Sequence, residues 1–386
     1  MALNRFKRGL RKGQEFFSDY TLLFIVLFLL AFGLVMLYST SAYDANVTYN
    51  DSAYLFRKQA ISTLIGLVGL FVVSVLPYHL WERFAVLGYG IAVFLVLMII
   101  PFGIEANGAK RWLNVFGMSL QPAEVAKLAM IVFLAHLICR MGKSIRTRKG
   151  FLVVLGAALP MSGMIYVITR NLSSAIIIMG IAVVMLFVAC PDYKRFILLG
   201  LLGIAAVVLI VFIIVKMAES GNSTSFRGER ILAWLDPEAY ASGKGFQTLQ
   251  ALYAIGSGGI LGKGLGQSMQ KLGFLPEAQN DMIFSIICEE LGMFGAVAVL
   301  LMFLLLIWRC MIIANNAPDL FGALLVVGVM GHISIQVILN VAVVTNLIPN
   351  TGISLPFISY GGSSVLFLLA EIGLVFSVGH GIKMSS

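Results

Sequence analysis

The chain has 386 residues, 60% of them hydrophobic and only 12% charged, and its mean hydropathy is +0.96. Lys and Arg number 27 against 18 Asp and Glu, for a formal net charge of +9. So little charge cannot solvate a soluble protein of this size, and the apolar runs are continuous over about 20 residues instead of alternating. A soluble multi-domain enzyme and a transmembrane β-barrel are therefore both excluded.

In chain order, apolar segments predict membrane-spanning helices near 21–40, 60–78, 84–103, 122–139, 151–169, 173–190 and 196–215, and after a gap near 282–308, 319–345 and 356–381. The expected architecture is an all-α polytopic membrane protein of about ten transmembrane helices, forming one integral domain over residues 1–386. The first run, Thr21 to Tyr38, is too long for a signal-peptide core and reads as a retained helix. Cys139, Cys190, Cys288 and Cys310 lie in or beside apolar runs without metal or redox spacing, and read as small membrane hydrophobes.

Orientation follows from basic residues in short flanks, which resist translocation. The N-terminal arm carries Arg5, Lys7, Arg8, Arg11 and Lys12, and the segment after the fourth helix carries Arg140, Lys143, Arg146, Arg148 and Lys149. With Arg83, Lys194, Arg195, Arg309 and Lys383 they outnumber Arg57, Lys58, Lys110, Arg111 and Arg170 at the other ends of the spans. Both termini are thus expected on the cytoplasmic side of the membrane. The charge is a topology signal with a contact to anionic membrane lipids, and nucleic acid is not expected as a partner.

The gap between the seventh and eighth helices, residues 217–280, is expected to be a large extracytoplasmic loop. Its run Gly256-Ser257-Gly258-Gly259-Ile260-Leu261-Gly262-Lys263-Gly264-Leu265-Gly266 imitates a phosphate loop, but Ser257 and Gly264 stand where a Walker motif needs Gly and Ser or Thr.

Ionisable residues at membrane depth are costly, so each is a functional hypothesis by default. Three clusters qualify. In the first, Arg111 and Trp112 precede Gln121, Pro122, Glu124 and Lys127; Pro122 suits a first helical turn, and Glu124 and Lys127 are i,i+3 neighbours that can pair. The second runs from Leu275-Pro276-Glu277 to Asp281 and into the eighth helix, which carries Glu289 and Glu290. At 100° per residue Asp281, Ser285, Cys288 and Glu289 share a face, which puts an acid below Asp281. The plainer role for Asp281 is a helix cap, and for Glu289 and Glu290 interhelical ties. The third cluster is Asn346 to Ile353 followed by Pro356 to Ser364, including Ser359, Gly361, Gly362 and Ser363, where small residues permit irregular backbone and close helix approach. The tenth helix carries Glu371 and the ninth His332 and Asn340, with no role assigned to His332. All three clusters fall at the outer ends of helices, where they can meet in one cavity.

These residues, with Arg227, Arg230 and Asp236-Pro237 and with Ala254 to Gly259, resemble in order the SEDS family of bacterial cell-wall polymerases, the FtsW, RodA and SpoVE group. The stretch Gly264 to Lys271 looks more like FtsW and SpoVE than RodA, which points to division or sporulation. Two departures stand out. Gln279-Asn280 replaces a family His-Thr, and Arg170-Asn171-Leu172-Ser173-Ser174 replaces a family Pro-Asp-Leu-Gly-Thr. The resemblance implies a peptidoglycan glycosyltransferase that polymerises lipid II into β-1,4 glycan strands, with Asp281 as general base on the acceptor sugar hydroxyl. It implies substrate binding by Arg111, Glu124, Lys127, Arg227, Arg230, Glu277, Ser359 and Ser363, with Trp112, Gln121, Glu289, Glu290, Gly361 and Gly362 lining a polar cavity. No cofactor is certain; a divalent cation (Mg or Mn) bridging the diphosphate is compatible with the chemistry, although no dedicated ligand set is visible. The implied partners are lipid II, a class B penicillin-binding protein and other division-complex membrane proteins. The alternatives of another class are a flippase for lipid-linked precursors and a non-catalytic division scaffold.

Overall fold

A computed structural model describes residues 19–382 apart from 107–108, 116–117, 191, 220–225 and 244. The basic N-terminal arm and Lys383 lie outside the described residues.

Ten helices long and apolar enough to cross a membrane account for every predicted span. They are α1 (Tyr20–Tyr49), α2 (Tyr54–Val75), α4 (Ala85–Phe102), α5 (Pro122–Met141), α6 (Arg148–Thr169), α7 (Leu172–Ala189), α8 (Tyr193–Glu219), α11 (Ile283–Asn315), α12 (Leu320–Val344) and α13 (Gly362–Gly379). Among the described residues there are also three shorter α-helices: α3 (His79–Arg83), α9 (Phe226–Leu235) and α10 (Phe246–Gly258). The first span is longer than its apolar run predicts. Asp19 starts it by accepting the Leu22 N–H at 3.0 Å, and Asn50 ends it in the left-handed region at φ 54°.

One boundary is corrected: the tenth span begins at Gly362 instead of 356, because Pro356 to Tyr360 form turns and bends. The fold is mostly helical as expected, and beside the helices β1 (Ile104–Ala106), β2 (Ala109–Val115) and β3 (Met118–Leu120) make a small antiparallel sheet in the order β1-β2-β3. Strands of three to seven residues pair by local hairpins, and such short runs carry too few periods to show in a scan for spans.

A continuous apolar core joins α1, α5, α6, α7, α11, α12 and α13. α2 packs closely against α13, where a Cβ at Gly373 would lie 2.8 Å from the Leu70 carbonyl oxygen. Without a hydrophobic force between helices in lipid, such close backbone approach supplies the packing. By contrast, no residue of α8 through Ala218 is buried; the span meets the bundle near its start, where Phe196 packs edge-to-face with Phe151 and Phe187.

Alternation of the spans brings the sheet of β1 to β3, the described residues of 226–282 and the 345–361 segment to one end of the bundle, hereafter the site end. All five non-glycine residues with positive φ among the described residues lie there: Asn50, Arg170, Glu277, Asn346 and Phe357. Backbone held in that region is strained and concentrates at functional sites.

Candidate active site

Asp281 lies just before α11, and it is not the cap that spacing allowed. Met282 occupies the cap position and makes no side-chain capping bond. Asp281 keeps 8% of its surface exposed. Its carboxyl is pushed up to about 7, first by burial and then by the negative Glu277, against opposing pulls from a backbone hydrogen bond and from Arg230. Its side chain accepts a hydrogen bond from Gln247 Nε2 at 3.4 Å on Oδ1. Gln247 belongs to α10 and also lines a cavity of about 220 Å³ with Arg230, Trp234, Phe246, Pro276 and Asn350. Arg230 donates to the Asn350 carbonyl at 3.3 Å and Trp234 Nε1 to the Asn346 carbonyl at 3.0 Å, so α9 is tied to the 346–350 turn. Arg227 lies in the first turn of α9, and its side chain is outside the described residues.

The 350–361 segment is stapled to Asp281 from two directions. Ser359 Oγ donates to the Asn280 carbonyl at 2.6 Å and the Tyr360 N–H to the Gln279 carbonyl at 2.9 Å. From α12, Asn340 Nδ2 donates to the carbonyls of Asp281 (2.8 Å) and Ile353 (2.7 Å), and one turn deeper Gln336 Nε2 donates to the Ser354 carbonyl at 3.0 Å. Gly361 N–H reaches Gln59 Oε1 of α2 at 3.1 Å. A Cβ on Gly362 would lie 2.9 Å from Ser62 Oγ, and Ser363 follows, largely buried, in the first turn of α13. Residues 279–281 and 350–361 are thereby held as one unit.

Glu124 and Lys127 form the expected pair, at 2.8 Å and almost wholly buried. Lys127 Nζ also reaches Gln336 Oε1 at 3.4 Å, and Ser364 Oγ reaches Glu124 Oε2 at 3.4 Å. This pair therefore sits beneath the 354–364 segment. Gln121 precedes α5 and accepts the Glu124 N–H on its carbonyl at 3.0 Å. Arg111 on β2 donates to the carbonyls of Thr169 and Arg170 at the end of α6 (3.3 and 3.4 Å), while Trp112 pairs across the sheet with Ile104.

Glu289 and Glu290 lie just before a break in α11 at Gly292 (φ 66°, ψ −165°). The break frees carbonyls and amides that the glycine run repairs. Lys263 and Gly264 N–H donate to the carbonyls of Glu289 and Glu290 at 2.9 and 2.8 Å, and Met293 and Phe294 N–H donate to Gly259 and Ile260 at 3.0 and 3.3 Å. The run that imitates a phosphate loop is thus the backbone partner of a broken helix, which lipid would otherwise leave unsatisfied. The two acids secure it. Glu289 accepts Lys263 Nζ at 2.7 Å, Ser268 Oγ and the Met269 N–H at 3.2 Å. Glu290 accepts Lys271 Nζ at 2.6 Å and Ser39 Oγ of α1 at 2.8 Å. They are ties, the plainer of the two roles open to them.

Deeper still, His332 Nδ1 lies 2.8 Å from Glu371 Oε2. His332, Gln336 and Asn340 follow at intervals of four on α12, so a polar column runs from Asp281 to mid-bundle. Beyond it toward the opposite end the core is Leu325, Val326, Val329, Leu374, Val375 and Val378. That i,i+4 stripe is visible in the sequence and marks Gln336, which cluster-by-cluster reading passed over; Gln247, Lys263, Ser268 and Lys271 carry no such signal. Among the described residues no three His, Cys, Asp or Glu side chains are grouped to hold a metal ion; Glu277 and Asp281 supply two carboxylates, a partial set for a hard divalent ion that also takes substrate phosphate oxygens.

The chain matches, over residues 20–383, the family described as a cell cycle protein and named for FtsW, RodA and SpoVE. It is 41% identical to stage V sporulation protein E of Bacillus subtilis, covering 93% of this chain and 96% of that one. It is 38% identical to the probable peptidoglycan glycosyltransferase FtsW of Trichlorobacter lovleyi, covering 95% and 94%. Among solved structures it is similar to a chain of a peptidoglycan synthase complex that coordinates polymerization and crosslinking, with a TM-score of 0.75, 29% identity and coverage of 94% and 97%. RodA of Thermus thermophilus follows with a TM-score of 0.68, 26% identity and coverage of 95% and 98%.

Proposed function

The chain belongs to the FtsW, RodA and SpoVE family of cell cycle proteins, and from that premise we propose how its site works. It is a multi-pass membrane peptidoglycan glycosyltransferase, and we place Asp281 as its general base. The observation that carries this is the state of Asp281, buried, raised to about 7 and one side chain away from a cavity lined by Trp234, Phe246, Gln247 and Asn350. Aromatic faces with amide edges suit a sugar ring, and a base near neutrality suits proton transfer from a hydroxyl.

The reaction is an inverting transfer. The acceptor GlcNAc 4-hydroxyl of lipid II gives its proton to Asp281 as its oxygen attacks the MurNAc anomeric carbon of the donor. The new β-1,4 C–O bond forms while the bond to undecaprenyl diphosphate breaks, and the leaving group carries the electron pair. Arg230, beside the cavity, is the described cation placed to stabilise that charge; Arg227, one turn earlier on α9, is proposed with it, and Arg111 at the sheet contributes to the field. Lys127 and Glu124, being paired within the core, support the 354–364 segment beneath the sugars. Were Mg or Mn bound, Glu277 and Asp281 would hold it, and it would supply positive charge against the charge developing on the diphosphate.

We place the site end outside the cytoplasmic membrane, where lipid-linked sugars would be polymerised, a reading that the basic flanks in the sequence support, and the FtsW-like relatives favour cell division. A class B penicillin-binding protein is the proposed cross-linking partner, alongside other division-complex membrane proteins. A flippase would need polar lining through to the opposite end, whereas the column stops at His332 and Glu371 above an apolar core. The test is the purified chain with its partner, given labelled lipid II beside an Asp281→Asn variant. A loss of about 10²- to 10⁴-fold is expected; absence of glycan chains from the wild type, or equal product from the variant, would sink the assignment.

A further inference from the structure

At the site end, α1 and α2 carry tyrosines that the transfer reaction leaves unused. α1 has 30 residues, about 45 Å at 1.5 Å per residue against about 30 Å of hydrocarbon. Its last turns and the link to α2 hold Asp44, Asn46, Thr48, Asn50 and Asp51, groups that lipid penalises. This end therefore stands in water. A tyrosine that only anchors a span sits at the hydrocarbon edge, whereas Tyr49 ends α1 and Tyr54 opens α2 roughly 10 Å above it.

Tyr49 and Tyr54 stack with ring centroids 4.2 Å apart and 23° between their planes, and both are exposed, at 50% and 37%. Tyr360 lies close enough to feel them: burial pushes its phenol up, and the Tyr49 and Tyr54 phenols push it further. Tyr360 also belongs to the backbone unit that holds Asp281, since its N–H donates to the Gln279 carbonyl at 2.9 Å. From the same unit Gln279 Nε2 donates to Asp44 Oδ2 of α1 at 3.3 Å, and the Gly361 N–H to Gln59 Oε1 of α2 at 3.1 Å. The unit thus joins two places. Asp281 meets Gln247 and the cavity, while two residues earlier Gln279 meets the acid beside the tyrosines.

We propose that Tyr49, Tyr54 and Tyr360, edged by Asp44 and Gln279, form a subsite for the growing β-1,4 glycan strand. This rests on the glycosyl transfer reading. A cavity of about 220 Å³ beside Asp281 is too small for a chain of sugars, so a strand that is extended repeatedly must lie on another surface of the same unit. The chemistry of the tyrosine group suits it: flat aromatic faces pack against the C–H faces of pyranose rings, and the carboxylate and amide at its edge take their hydroxyls. An acyl chain would find water and acids here instead of lipid.

The test has two readouts on the full chain in detergent, each variant being checked for folding by its melting curve. The first is binding of a β-1,4-linked hexamer of N-acetylglucosamine, followed by saturation-transfer NMR with an α-1,4-linked glucose hexamer as control. Wild type and Asp281→Asn should bind the β-1,4 hexamer alike, and Tyr49→Ala with Tyr54→Ala about tenfold more weakly, whereas the two Phe substitutions keep the stacking and stay within about twofold. The second is the length of strands made from labelled lipid II with the penicillin-binding partner, compared after equal incorporation of label. The double alanine variant should make strands about three- to tenfold shorter, because lost affinity appears as faster release. Equal binding of both hexamers, alanine variants that bind like wild type, or strands of wild-type length would overturn the proposal. If the double variant does not fold, Tyr49→Ala alone decides by the same two measurements. An active Asp281→Asn overturns the base assignment and leaves the subsite to hexamer binding, whereas an inactive one beside tyrosine variants with wild-type strands overturns the subsite alone.

Discussion

Asp281→Asn should stabilise the protein while abolishing its activity. The folded carboxyl sits at about 7 against an ordinary 3.8, a rise of roughly three pH units. At 1.36 kcal/mol per unit, keeping Asp281 ionised in the fold costs on the order of 4 kcal/mol. The sign follows from proton binding. Between pH 3.8 and about 7 the folded chain holds a proton that the unfolded chain has lost, so stability falls as pH rises through that window and levels off above it. Asparagine keeps the size and can still accept from Gln247, but carries no charge, so it removes this one contribution. Melting curves of both proteins in the same detergent, followed by tryptophan fluorescence from pH 4 to 8.5, isolate it, because every other carboxyl cancels in the difference. The variant should melt several degrees above wild type at pH 8, with the gap closing toward pH 4. A gap independent of pH, or a variant that melts lower at pH 8, would refute the reasoning that burial, reinforced by Glu277, sets the state of Asp281.

Three further outcomes follow from the buried ties. Lys127→Met leaves Glu124 charged and unpaired in the core and should cost about 3–5 kcal/mol, whereas Lys127→Met with Glu124→Gln should recover most of it; both are read by melting. Lys271→Met should likewise strand Glu290 and loosen the 263–272 stretch, seen as faster limited proteolysis there, with Glu290→Gln restoring protection. Gly292→Ala places a Cβ 2.4 Å from Gly262 N and Ile260 O in a left-handed backbone; a loss of roughly 3 kcal/mol or more is expected, visible as poor yield of monodisperse protein.

Much of the site is legible in the sequence where chemistry is local. Glu124 and Lys127 are one helical turn apart, so their pairing needs no knowledge of the fold. Asp281 and the 356–364 run were marked because acids, glycines and serines are out of place beside long apolar stretches. The sequence projects a regular helix through 356–361 and past 292, and the structure has neither. Gly292 stands two residues after Glu290 at the head of a long apolar run, and only the glycine run some thirty residues earlier shows why the backbone can break there. Glu289 and Glu290 then turn to Lys263 and Lys271, partners that no helical wheel contains.

By itself, the sequence determined that this chain spans a membrane about ten times, and it pointed to the residues at the site end. Unbroken apolar length and misplaced charge are local properties that lipid punishes or rewards wherever they fall. Only the tertiary structure decided which polar groups meet. Gln247 and Asn350 lie 103 residues apart, and Asn340 reaches Asp281 across 59. A buried carboxyl takes its proton affinity from whatever packing brings beside it, so the state of Asp281 belongs to the fold and not to its neighbours in the chain.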